Sequence, residues 1–172
     1  MKVLSKVAAL CALTVLAACS SNDPSNWGNG GPGGSGGAGG PGAAGSVNDP
    51  KSPAYFQQAI GDRVLFAVDQ STLSPQAQTT LQGQAAWLAA NPDYTATIEG
   101  HADEQGTREY NLALGARRAN AAREYLISQG VAGNRLKTVS FGKERPIEVC
   151  STEACYTKNR RAVTVLTAGL TG

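Results

Sequence analysis

The chain has a single histidine, His101, among its 172 residues. One imidazole beside the acidic pair Asp103 and Glu104 is too poor a ligand set for a hydrolytic metal centre. No serine or cysteine sits in a nucleophile motif, and two adjacent carboxylates on a short turn do not flank a substrate as an acid and a base must. The residues therefore point away from an enzyme, and no cofactor or metal is expected. Surplus charge is also missing. Lys2 and Lys6 lie in the first segment, which holds no acidic residue; without it, 13 basic residues face 13 acidic ones. A neutral remainder argues against a polyanion binder, so nucleic acid is not an expected partner. No apolar run reaches the ~20 residues that a membrane-spanning helix needs. There is no internal repeat, and the glycines lack the strict three-residue period of collagen.

What is present begins with an address. Lys2 and Lys6 precede an apolar run from Val7 to Ala18, which has the layout of a secretory leader. The run ends in Leu16-Ala17-Ala18-Cys19, which resembles the lipobox of bacterial lipoproteins. That resemblance implies cleavage before Cys19 and a lipid on its thiol and new amino group. Each buried CH₂ contributes about 0.8 kcal/mol and one chain holds only marginally, so two or three make a durable anchor. Ser20, where an aspartate would imply inner-membrane retention, implies the outer membrane, facing the periplasm. Cys11 leaves with the leader and Cys19 takes lipid. Cys150 and Cys155 remain, in a compartment that permits disulfides, and a local disulfide is expected between them.

From residue 19 to 53 the chain is dominated by glycine, serine, proline and alanine, with Trp27 the one large apolar side chain. Such a stretch cannot bury enough surface to offset its conformational entropy, and a disordered tether is expected. A flexible coil of that length spans roughly 30 Å and reaches about 110 Å when extended. It suits a leash to a distant target.

Residues 54–168 carry the pattern of one folded domain, leaving 169–172 as a tail. Val64–Val68 is a run of strand formers. Ser74-Pro75 is a helix start, and Leu81, Ala85, Leu88 and Ala89 recur at helical spacing until Asn91-Pro92. Thr95–Glu99 alternates as a strand. A second helix is predicted over Asn111–Ser128, with an extra turn near Thr107 and Leu112, Ala116, Ala119, Ala122 and Leu126 on one face. Thr138–Phe141 and Ala162–Leu166 are the last strands. The order β-α-β-α-β-β predicts an α/β two-layer sandwich, a small mixed sheet with helices on one face.

Two stretches concentrate chemistry. Ile98–Thr107 reads IEGHADEQGT and sets His101, Asp103 and Glu104 just past a strand, with Gly100 and Gly106 permitting a turn. Tyr110–Arg123 reads YNLALGARRANAAR and puts Arg117, Arg118 and Arg123 on the following helix. The blocks EGHADEQGTREYNLALGARRANA, VSFGKERP and KNRRAVTV, in this order, resemble the outer-membrane protein A-like peptidoglycan-binding domain. The resemblance covers roughly residues 54–168. It implies a non-catalytic lipoprotein that holds peptidoglycan through the free amino-acid centre of diaminopimelate. Asp103 is then the anion for its ammonium and Arg118 the cation for its carboxylate, which a planar guanidinium holds with two parallel bonds. By the same carry-over Asp69, Leu114 and the backbone near Val68 and Ala102 line the groove. Lipoproteins with this domain are associated with TolB and other Tol-system proteins, in envelope integrity and constriction at cell division. The alternative is a periplasmic protein-docking lipoprotein that does not touch the wall. On charges alone, Asp103 and Arg118 also fit a surface ion pair worth at most about 1 kcal/mol. Arg160-Arg161 fit either support of the groove or contact with a partner.

Overall fold

The structure, a computed structural model, describes residues 45–168. The expected leader, Cys19, residues 19–44 of the tether and the tail at 169–172 lie outside the described residues. Inside them the folded part starts earlier than the composition indicates. Ser52, expected in the tether, is buried and caps α1 (Pro53–Tyr55) by accepting from the Tyr55 amide at 3.0 Å. The indole of Trp87 donates to the Pro50 carbonyl at 2.7 Å. Local composition signals entropy but not a docking site on a distant helix, so Pro50 and Ser52, expected in the tether, pack against the fold. A π-helical turn, Phe56–Gly61, follows and buries Phe56 beside Trp87.

β1 is short, Arg63–Leu65, where Val64–Val68 was expected. Phe66 still donates to the Arg160 carbonyl at 2.9 Å, but the chain then turns through Asp69, whose φ is +56°. α2 spans Pro75–Ala90, with the Ser74 hydroxyl accepting from Ala77 and proline in the first turn. Such a cap contributes about 1 kcal/mol. β2 is Tyr94–His101, α3 is Arg108–Ser128 capped by Thr107, β3 is Leu136–Gly142 and β4 is Arg161–Ala168. A short helix, α4 (Glu153–Asn159), which begins in the cysteine loop and contains Cys155, was not foreseen.

The sheet order is β1-β4-β2-β3, with β4 antiparallel to both neighbours and β2 parallel to β3. Parallel neighbours need a long crossover, and α3 supplies it. Along β2, Ala96, Ile98 and Gly100 are buried while Thr95, Thr97 and Glu99 are not, so the helices cover one face. This is the expected mixed sandwich. Phe56, Leu81, Leu88, Ile98 and Leu126 fill the layer between. Two polar side chains share it because each is fully bonded: Gln84 donates to the Gly61 carbonyl and accepts from Thr164, both at 2.7 Å.

The buried stripe of α3 differs from the apolar one. It runs through Asn111, Leu114, Gly115, Arg118, Ala119, Ala122 and Leu126, while Leu112 is half exposed. Counting apolar residues cannot find a buried arginine and asparagine, which shifts the apparent face. Gly100 is also not a turn residue. It lies within β2, directly against Gly115 of α3, and an added Cβ would overlap the Gly115 carbonyl oxygen. Gly106, at φ +89°, does make the turn.

Candidate functional site

Three segments meet beyond the C-terminal end of β2: the turn after β1, the 102–107 turn and the first turns of α3. They enclose a groove of about 280 Å³ lined by Val68, Asp69, Asp103, Gln105, Gly106, Tyr110, Asn111 and Leu114. Thr107 starts α3 so that Tyr110, Asn111 and Leu114 fall along the groove. Asn111 is buried and donates to the Gln105 carbonyl at 2.7 Å, which fixes the turn. Tyr110 donates its hydroxyl to Asp69, which closes one side. Lys143 braces the other by donating to the Gly106 carbonyl at 2.7 Å. Val68 is 53% exposed and presents an apolar floor to any ligand.

Asp103 is the buried anion of this groove, 7% exposed. Its Oδ1 accepts from the Gln105 amide at 3.2 Å and its Oδ2 from Arg160 Nη1 at 3.1 Å. The ion pair is therefore with Arg160, and the anticipated alternative of a surface pair with Arg118 is corrected. Arg118 lies behind the groove and does not line it. It is 0% exposed, with Nε donating to the Gln70 carbonyl at 2.8 Å, Nη1 to His101 at 2.9 Å and Nη2 to Ala67 at 3.1 Å. Its guanidinium stands over the Phe66 ring at 5.3 Å. Burial pulls its pKa down to about 10 while Asp103 and Asp69 oppose the shift, so it is cationic at neutral pH and sits within reach of both carboxylates' fields. Ala102 is buried, and its amide is committed to the Gly142 carbonyl at 2.8 Å rather than facing the groove.

Further residues come from the end of the loop before β4: Asn159, which sequence reasoning passed over, and Arg160 and Arg161, whose role it left open between groove support and a partner contact. Asn159, Arg160 and Arg161 are all buried. Asn159 accepts from the amides of Ile147 and Glu148 and donates back to the Glu148 carbonyl at 2.8 Å. Arg161 donates to the carbonyls of Asn159 and Arg145. Arg160 binds Asp103, the Phe66 carbonyl, Thr157 and Glu153 together. Three consecutive polar residues ahead of a strand were the available signal; their burial was not. Cys150 and Cys155 are bonded, as expected, and close the short loop in which α4 begins.

His101 is 2% exposed and stacks on Phe141 at 5.5 Å between centroids. Among the described residues neither ring nitrogen has a hydrogen-bond partner; Glu99 is nearest, at 3.6 Å from Nε2. Burial first, then the positive charges of Arg161 and Arg145, hold its pKa down to about 4. The unfolded imidazole takes its proton near 6.5, so between these values the unfolded state binds more protons. Stability from this group is complete above pH ~6.5 and is lost as pH falls through about 4. The expected loss is on the order of 2 kcal/mol, read as a falling urea midpoint. His101→Phe keeps the stacking and removes the proton site, so its curve should be flatter over this window. An equally steep curve would assign the slope to carboxylates instead.

A wider hollow of about 420 Å³ lies among Arg108, Glu109, Leu112, Ser140, Phe141 and Glu144, but its charged side chains are all exposed. Buried charge marks the smaller groove as the candidate site. Comparison with known proteins agrees with the architecture. Residues 65–160 match the OmpA family. A peptidoglycan-associated lipoprotein of Rhizobium meliloti is 58% identical over 117 residues, covering 68% of this chain and 66% of that protein's length. Its counterpart of the same name in Pasteurella multocida is 44% identical over 100 residues, covering 58% of this chain and 67% of the relative. The crystal structure of the peptidoglycan-associated lipoprotein from Burkholderia pseudomallei aligns at a TM-score of 0.63 and 40% identity, over 70% of this chain and 98% of that one. The C-terminal domain of Helicobacter pylori MotB, at 20% identity and a TM-score of 0.59, covering 63% of this chain and 86% of that one, shares the fold alone.

Proposed function

Because the chain belongs to the OmpA family, we propose that it is a lipid-anchored envelope protein whose folded domain holds peptidoglycan without covalent chemistry. The observation that carries this reading is the groove itself, which a buried carboxylate, Asp103, and a second one, Asp69, line while the charge of Arg118 stands behind them. A diaminopimelate side chain ends in an ammonium and a carboxylate on one carbon. In this reading Asp103 takes the ammonium, with Asp69 beside it. Arg118 uses all three of its nitrogens on the walls of the groove and is buried behind it, so it attracts the ligand carboxylate by its field. Leu114 and Val68 cover the aliphatic stem, and the Ala102 backbone holds the turn.

The leader at 1–18, the lipid at Cys19 and the tether complete the proposal, placing the domain on the periplasmic side of the outer membrane. Among the described residues no helix is long and apolar enough to cross a membrane. TolB and other Tol-system proteins are the partners proposed with it, in support of envelope integrity and cell division. We read the domain as a binder and not an enzyme.

The test is co-sedimentation of the unacylated chain (Cys19→Ser, leader removed) with isolated peptidoglycan. The wild type should pellet. Asp103→Asn keeps the shape and removes the charge, and should weaken binding by roughly tenfold or more while the circular dichroism spectrum is unchanged. A wild-type chain that stays in solution would sink the wall reading and leave protein docking in its place.

A further inference from the structure

An ion pair that exposes a carboxylate to a ligand has to avoid consuming it. A guanidinium facing a carboxylate ordinarily closes on it with two parallel bonds, satisfying both oxygens. Arg160 does not do this to Asp103. Only Nη1 reaches the carboxylate, at 3.1 Å on Oδ2. Nε is committed to the Phe66 carbonyl at 3.2 Å, and Nη2 to Glu153 and to the Thr157 hydroxyl at 3.0 Å. Glu153 thus holds the far side of the guanidinium and shares its charge, which leaves Asp103 net negative and with acceptor capacity to spare.

Glu153 lies within the disulfide-closed loop. Cys150 and Cys155, with Cα atoms 6.0 Å apart, bracket Glu153 at the start of α4. The same hairpin grips the groove's turn a second time: Ser151 and Tyr156 both donate to Glu104 Oε1 at 3.1 Å. Glu104 is the immediate neighbour of Asp103. One small, cross-linked hairpin therefore reaches the ligand-facing carboxylate by two independent routes.

We infer that the Cys150–Cys155 hairpin is a positioning element of the groove, with Glu153 acting through Arg160 to keep Asp103 open to a cationic ligand. The consequence for binding rests on the wall-binding reading above; the positioning itself does not. Glu153 touches no ligand in this account, and its side chain is 65% exposed. Replacing it should therefore leave global stability almost unchanged while altering what Asp103 can do.

The experiment uses the unacylated chain with Glu153→Gln and, separately, the Cys150→Ser/Cys155→Ser double variant. Three quantities are read: the urea midpoint, co-sedimentation with isolated peptidoglycan, and the ligand-free amide resonance of Gln105, which donates to Asp103 Oδ1. For Glu153→Gln the midpoint should hold, wall affinity should fall roughly fivefold and the Gln105 resonance should move. Glu153→Asp should restore part of both effects, which a merely structural loss would not. The double cysteine variant should move the same resonance in the same direction. A Gln105 resonance and an affinity unchanged in Glu153→Gln overturn the inference. A resonance that moves in a chain whose wild type never pellets upholds the positioning and overturns only the wall reading.

Discussion

Replacing Arg118 by methionine should destabilise the unacylated chain by about 3–5 kcal/mol, the range for breaking a buried charged network. Methionine restores length and apolar stem but none of the donors. The carbonyls of Gln70 and His101 then lose the guanidinium in one step, while that of Ala67 keeps the Gln70 amide. Each deserted buried acceptor costs on the order of 1–3 kcal/mol, less where water can reach it. Ala67 and Gln70 lie on the exposed turn after β1, whereas His101 is buried, so the last loss should dominate. Arg118→Lys keeps the charge as a single point and cannot span three carbonyls. It should recover only part of the loss. Urea denaturation of both variants checks this, and a methionine variant within 1 kcal/mol of wild type would refute the clamp role. The result also bears on function. Any loss of wall binding in an Arg118 variant has to be read against its stability, and so has that in Asp103→Asn, which leaves the buried Arg160 short of its partner.

Gly100→Ala should be nearly as damaging, by about 3 kcal/mol, through backbone collision and not through conformation. Overpacking a closed site ordinarily costs 1–3 kcal/mol, and most where neighbours cannot move. Here the obstacle to a new Cβ is the Gly115 carbonyl oxygen, with Gly115 C at 2.6 Å and Ala119 Cβ at 3.1 Å behind it. α3 would have to lift off β2. Gly115→Ala makes the instructive contrast. Its new Cβ meets the Ser140 hydroxyl and, at 2.8 Å, the Gly100 oxygen. A helical alanine also gains about 1 kcal/mol over glycine. Its net cost should be visibly smaller. If the two variants proved equally stable, direct backbone contact between α3 and β2 would not be what limits this packing. Because α3 carries Tyr110, Asn111 and Leu114, Gly100→Ala should also disturb the groove.

Much of the fold was legible because its signals are local. Ser74-Pro75 and Asn91-Pro92 bracket α2 in the sequence as they do in space, and alternation marks β2. The order β-α-β-α-β-β implied the two layers. What failed were features set by partners far along the chain. β1 ends at Leu65 because the next residues turn to meet Arg118 and Arg160, 50 or more positions away. α4 is short and lies in a loop without helical periodicity. For the site, the resemblance drew attention to Asp69, Asp103 and Leu114, which share one groove. It could not tell that Arg118 stands behind the wall, nor that Arg160 is the ion-pair partner. Exposure and pairing are tertiary properties, and a charged letter carries neither.

The Trp87–Pro50 hydrogen bond lies beside Tyr94, whose ring is 5.1 Å from the indole, at the start of β2; the groove lies past its end. Eight residues of strand separate the two poles, roughly 25 Å. In the proposed reading, a pull between Pro50 and a ligand in the groove is therefore directed along β2. This strand pairs with β3 from Ala96 to His101 and with β4 from Tyr94 to Gly100. Force so applied shears many hydrogen bonds at once and cannot peel them open one by one. In the proposed wall-binding reading, the domain is thus held lengthwise between its anchor and its ligand.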